Sequence, residues 1–314
     1  MPRPARLSET EILDLIANLR CSRRNRIQGD DIAVFRGSRN VYAASDALIE
    51  GVHFKHGWLS PADIAHKLFA RNWSDFLCKG IRPSAALLNL SLRTASARHE
   101  FVAAFLRRLD TLFHTHGLTL IGGDTARSPH DHFSLTFLGT AGKFIGRRSR
   151  SIKRGDLIVQ LGHVGGSTSV VNKLIKKLPC REKEMRFFRA PQIFTALPHS
   201  GHLKATIDQS DSVMKSLSLL AQNNDAGLTL EISKLQLSRP DLRRHKDFPA
   251  NVLGAAEDLA VFAIADARLP LPRGSAAFRA VGFVDSIHQR KARVTYILNG
   301  HPIKPPADGF EHFA

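Results

Sequence analysis

Along this chain, short apolar runs alternate with longer segments whose apolar residues recur at helical spacing. No other feature restricts the fold as much. The richest runs, Ala85 to Leu92 and Leu259 to Ala265, are strand-sized or core-helix-sized. Neither approaches the roughly eighteen apolar residues a membrane-crossing helix needs. Ser8-Glu9-Thr10-Glu11 caps an opening amphipathic helix through Ile12, Leu15, Ile16 and Leu19. Two short strands, Ile32 to Phe35 and Val41 to Asp46, flank a turn at Gly37-Ser38. Ala62 to Cys78 reads as a helix, Ile81-Arg82-Pro83 as a break and Ala85 to Leu92 as a strand. Arg98 to His116 is the next helix, Leu118 to Ile121 a strand running into the turn Gly122-Gly123-Asp124-Thr125, and Phe133 to Gly142 a further strand. That order predicts an α/β chain with mixed sheets.

The basic, Ser-rich stretch between Gly142 and Gly155 interrupts the pattern, and the boundary between two domains, 1–145 and 146–314, is expected there. A length of 314 residues suits two ordinary cores. The second half begins with a strand at Asp156 to Val159. It continues with a helix from Ser167 to Leu178, a basic loop and a helix from Ser212 to Asn223, with strands near Leu228 to Ile232, Ala260 to Ala265 and Ala280 to Phe283.

With 43% hydrophobic residues the chain has the material to fold. Met1 to Arg20 lacks the continuous apolar stretch of a signal peptide. Cys21, Cys78 and Cys180 form no CxxC pair, so neither a disulfide framework nor a cysteine zinc site is indicated. A cytoplasmic protein with no membrane span is expected. The net charge of +17 admits a nucleic-acid partner, an anionic substrate or merely a basic surface. Its basic residues are scattered and no zinc-finger or RNA-binding signature accompanies them, so nucleic acid is the weaker reading.

The chemistry concentrates in five carboxylate-bearing segments: Gly29-Asp30-Asp31, Ser45-Asp46, Asn72 to Asp75, Gly122 to Thr125 and Asp208-Gln209-Ser210-Asp211. Mg²⁺ takes oxygen ligands and binds through a few carboxylates plus water and substrate phosphates, so aspartates from separate elements suit it. Each segment alone is equally an Asx turn or a helix cap. No GxxxxGK[ST] phosphate loop occurs, and Gly162 to Ser167 lacks its lysine, which disfavours a P-loop kinase.

Taken in order, these segments resemble the signature series of the thiamine-monophosphate kinases, in the superfamily of aminoimidazole ribonucleotide synthetase. Asp46 to Phe54, with its Glu50-Gly51-Val52-His53, is the most discriminating stretch, and the likeness continues through Gly155 to Ile158, Glu257-Asp258 and Gly309 to Phe313. The resemblance implies a two-domain fold of that superfamily, a homodimer, and ATP-dependent conversion of thiamine monophosphate to thiamine diphosphate with Mg²⁺. Carried over residue by residue, Asp30, Ser45, Asp46, Asp75, Asp124, Asp208 and Asp211 would bind Mg²⁺. Gly123, Asp124, Arg148 and Ser210 would lie at ATP, and His53, Glu257 and Phe310 at the thiamine end. By themselves His53 is as readily a packed or surface histidine, Phe310 a core aromatic and Glu257 a surface charge. The acceptor is already an anion, so no strong general base is required and no side chain is assigned a base's role.

Three places depart from the family pattern. Ser212 stands where Gly usually follows the serine-aspartate, Ala255-Ala256 stand for Gly-Gly before Glu257, and Leu259 for Tyr. Added Cβ atoms there would crowd a backbone that approaches a ligand. Two alternatives follow: a weakened or non-catalytic nucleotide-binding relative, and a basic nucleic-acid-binding protein on the same scaffold.

Overall fold

A computed structural model describes residues 30, 32–35, 40–245, 247–269, 277–288 and 292–306. The opening helix over Ile12 to Leu19, Cys21, Gly29, Asp31, the Gly37-Ser38 turn and Gly309 to Phe313, with Phe310 among them, lie outside the described residues.

Strands β1 (Ala33–Phe35), β2 (Val41–Ile49), β3 (Ile81–Leu92), β4 (Thr119–Arg127) and β5 (His132–Gly142) form one sheet in the order β1-β2-β5-β3-β4. Helices α1 (Pro61–Cys78) and α2 (His99–His116) cover one face. A second sheet holds β6 (Leu157–Leu161), β7 (Leu203–Asp208), β8 (Gly227–Glu231), β9 (Val261–Ala265), β10 (Arg279–Ser286), β11 (Arg293–Leu298) and β12 (His301–Ile303). Its order is β12-β11-β8-β10-β6-β9-β7. Parallel pairs β3·β4 and β8·β11 sit among antiparallel ones, so both sheets are mixed, as expected. Every strand of the first sheet precedes Lys143 and every strand of the second follows Asp156.

The first core cluster does not stop between the sheets. Phe69, Phe76, Phe133 and Phe137 share it with Val159, Leu161, Val261 and Ala263 of the second sheet. A second cluster, with Phe262, Ile264 and Leu217, lies under helix α5 (Val213–Asn223) on the other face. Helix α1 therefore runs along a seam, with apolar contacts to both units.

Several sequence expectations need correction. Ile81 to Pro83 does not break the chain: β3 runs through it, and the register shifts on both sides of Pro83 because that residue has no N–H for the ladder. Gly122 to Thr125 is not a turn but the middle of β4. Gly123 has φ +151°, and a Cβ there would lie 1.8 Å from the Leu88 carbonyl oxygen, so glycine is what lets β4 approach β3. The loop after Leu178 also contains helix α4 (Glu182–Arg189) and β7, while β11 and β12 follow the last expected strand. Helix α3 (Gly166–Ile175) is shorter than its pattern. Among the described residues no helix is long and apolar enough to cross a membrane.

Candidate functional site

Helix α1 organises the site. Ser60 caps it through a reciprocal box with Asp63, and Pro61 opens its first turn. Spacings of three and four residues place Lys67, Arg71, Ser74 and Asp75 on one stripe, and the partners named next lie in both halves of the chain.

From β2, the Asp46 backbone N–H donates to Asn72 Oδ1 at 3.0 Å, and its carboxylate faces Arg71 at 3.5 Å. From β7, the buried Asp208 carboxylate accepts from Ser74 Oγ at 2.7 Å. Arg71 Nη1 reaches Glu257 at 2.5 Å, and the wholly buried Lys67 Nζ lies 2.6 Å from the other Glu257 oxygen. Withdrawal from water pushes Glu257 up, but Lys67 and then Arg71 outweigh it and hold the carboxyl below its ordinary range. Burial pulls the Lys67 ammonium down despite Glu257.

A cavity of ≈ 290 Å³ opens beside this network, lined by His53, Trp58, Arg71, Ser210, Asp211 and Glu257 among others. His53 Nδ1 accepts from the Ile49 N–H at 3.0 Å, which fixes the ring and, in the neutral form, puts the proton on Nε2. Ser212, flagged as a crowding substitution, instead caps α5: its Oγ accepts from the Lys215 N–H at 3.0 Å in an extended conformation that tolerates a Cβ. Ala255 is buried, and neither it nor Ala256 has positive φ. The unusual backbone belongs to their neighbours, Glu257 at φ 59° and Leu259 at φ 58°.

Two residues that sequence reasoning missed hold that loop. Gln209 is buried; its amide donates to the carbonyls of Asp211 (2.7 Å) and Ala255, and its Oε1 accepts from the Asp258 N–H. Asp258 accepts from the Gly165 and Ser167 N–H groups at 2.6 and 2.8 Å, at the start of α3. Desolvation pushes its carboxyl up to about 7 against those donors. The sequence signals were an amide placed between Asp208 and Asp211 and the Glu257-Asp258 pair of the resemblance, in which Asp258 received no role.

The predicted residues divide accordingly. Asp46, Asp75, Asp208, Asp211, Ser210, His53 and Glu257 gather around α1 and the cavity. Ser45 lies on the opposite face of β2 from Asp46 and places its hydroxyl 2.8 Å from that of Thr136. Asp124 stands on edge strand β4 opposite Asn89. Two strands separate β4 from β2, so Asp124 lies roughly 14 Å across the sheet from Asp46. Arg148 is exposed, one residue after the Arg147 N–H that donates to Asp30 at 2.8 Å.

An all-oxygen donor set of Asp46, Asp75, Asp208 and Asp211 suits Mg²⁺, which completes its shell with water and phosphate rather than a closed protein cage. Asp30 fits poorly, because the enclosed Lys79 ammonium already lies 2.8 Å from it. Among the described residues, the three His, Cys, Asp or Glu side chains with ligand atoms within 4.8 Å of one another are Glu50, His56 and Asp131, none of them a predicted ligand. Their atoms are spent on each other and on Arg93 and Ser96, which makes them a structural clamp.

Residues 29–141 match the family model described as AIR synthase related protein, N-terminal domain. The thiamine-monophosphate kinase of Leptospira interrogans is 28% identical over 252 residues, spanning 78% of this chain and 80% of that protein. The Escherichia coli enzyme of the same name is 28% identical and aligns over 91% of both chains. The chain carries an AIR synthase related N-terminal domain and is similar to thiamine-monophosphate kinases along most of its length. The solved structure of AaThiL complexed with AMPPCP and TMP shares the fold, with a TM-score of 0.81 at 21% identity, covering 98% of this chain and 99% of that one. The expected superfamily and fold class are therefore borne out.

Proposed function

We propose that this protein transfers the γ-phosphoryl group of ATP to thiamine monophosphate in one in-line step, with Mg²⁺, giving thiamine diphosphate and ADP. The observation that carries the reading is the 2.7 Å contact of Ser74, the neighbour of Asp75 on helix α1, with Asp208 of the second half, whose following residues Ser210 and Asp211 line the cavity. Relatives named for this reaction and a neighbour solved with a nucleotide analogue and TMP support it.

In this reading Asp46, Asp75, Asp208 and Asp211 hold the metal; the resemblance adds Ser45, Asp124 and Asp30, of which Asp30 already pairs with Lys79. Bound Mg²⁺ supplies charge neutralisation between the phosphate chains. Gly123, Asp124, Arg148 and Ser210 form the nucleotide side. His53, Glu257 and Phe310 form the thiamine side, with the thiazolium cation set against a carboxylate and an aromatic face. Arg71 orients the acceptor phosphate at the cavity mouth. The chain's own task is to align two anions and exclude water, because the acceptor oxygen needs no proton removed.

Units 1–145 and 146–314 act as two domains whose seam is the site, in a cytoplasmic homodimer. Strand β4 is exposed along its whole length, including Leu120 and Ile121, and offers the edge at which a second copy would bring Asp124 toward a nucleotide.

The test is thiamine diphosphate formation from thiamine monophosphate and Mg²⁺-ATP, with free thiamine as competing acceptor and Asp46→Asn as control. Product from the monophosphate alone, lost in Asp46→Asn, is expected. Near-normal turnover in that variant would count against the site. Unchanged acceptor affinity in both Glu257→Gln and Phe310→Ala would remove the thiamine side.

A further inference from the structure

Among the described residues, Asp211, Asp46 and Asp30 of the proposed metal set each lie against a cation of the chain itself, and burial ranks these pairs. Lys215 and Asp211 lie 2.9 Å apart, but their side chains are 41% and 38% exposed, so solvent screens the pair and a ligand displaces it cheaply. Arg71 faces Asp46 at 3.5 Å with Glu257 as its closer partner, so it can give Asp46 up. Lys79 differs from both. Its side chain is 0% exposed, that of Asp30 is 8% exposed, and the contact is 2.8 Å. The same ammonium donates to the Thr206 carbonyl at 2.5 Å, and the other Asp30 oxygen accepts from the Arg147 N–H. A metal ion taking Asp30 would have to pull apart a buried, hydrogen-bonded ion pair, which is far costlier than displacing a solvent-screened one.

We propose that Lys79 permanently occupies Asp30, so that Asp30 is not a metal ligand in this chain and an ammonium of the protein supplies the positive charge at that corner of the site. The pair also joins the units, since Lys79 ends α1, Thr206 lies in β7, and Gly146 and Arg147 lie between the sheets. The inference rests on the Mg²⁺-nucleotide reading above, departs from it at Asp30, and gives the site a divalent-ion complement set by the remaining aspartates.

Two measurements test it. Mn²⁺ binding is followed by EPR with AMPPCP present, for the wild type and Asp30→Asn/Lys79→Met. The double variant is expected to bind as many Mn²⁺ ions as the wild type, with affinity within about threefold. Loss of one ion, or a weakening of about tenfold or more, as when a ligand shell is disturbed, overturns the proposal. Thermal melts in EDTA compare the double variant with each single one. Each single substitution is expected to lower the melting temperature by at least about 5 °C, and the double to recover more than half of that, because breaking a buried pair costs more than removing it. Single losses that simply add in the double variant overturn the pairing. A wild type that binds no Mn²⁺ with AMPPCP refutes the magnesium reading instead, while the EDTA melts still decide the pair.

Discussion

Arg71 on helix α1 and Glu257 in the loop before β9 meet at 2.5 Å across the seam of the two units, and the fully buried Lys67 holds the other oxygen of the same carboxylate. The two cations differ in what their loss leaves behind. Arg71→Met leaves Glu257 with Lys67, whereas Glu257→Gln strands a buried ammonium over the Phe188 ring. Glu257→Gln is therefore expected to cost about 3–5 kcal/mol of stability and Arg71→Met about 1 kcal/mol, measured by urea unfolding. Acceptor KM should rise roughly tenfold in Arg71→Met with a smaller change in kcat, as when a binding contact is lost.

Gln209 links the acidic loop to the loop carrying Glu257. Gln209→Leu preserves bulk but orphans the Asp211 and Ala255 carbonyls and the Asp258 N–H. A loss of about 2–4 kcal/mol is expected, together with weaker Mg²⁺-ATP binding, read by unfolding and calorimetry.

Gly123→Ala tests whether the glycine serves the strand. The added methyl meets the Leu88 carbonyl oxygen at 1.8 Å, too close for any rotamer change to relieve. A destabilisation of at least ~2 kcal/mol is expected with no nucleotide present. An unchanged melting temperature in apo protein would show that the strand tolerates the side chain.

Asp258 predicts a pH dependence. Its carboxyl is pushed up to about 7 in the folded protein, above the ordinary carboxylate range. The folded state thus binds the proton more tightly than the unfolded chain. This group's contribution to stability is fully present below about pH 4 and is lost as pH rises through about 7. Asp258→Asn cannot titrate, so the wild type's melting temperature should fall relative to the variant's between pH 5 and 8. Parallel curves would refute the assignment.

The sequence by itself determined the alternation of strands and helices, hence the α/β class with mixed sheets, and the series of acidic segments that points to the superfamily. Period and turn chemistry are local, and helices such as α1 and α2 carry them in full. Elements without such a signal went unread: α4, with its charged Glu-Lys-Glu-Met-Arg start, and β7, β11 and β12 at the seam or the sheet edge. The resemblance also named Asp30, Asp46, Asp75, Asp208 and Asp211 without saying which share a space. Only tertiary structure decided that, because the register of β4 against β3 sets Asp124 across the sheet from Asp46, and the path of α1 along the seam sets Arg71 on Glu257 and Lys79 on Asp30. Those pairings join residues far apart in the chain, and their strength comes from a burial that exists only once both units are packed.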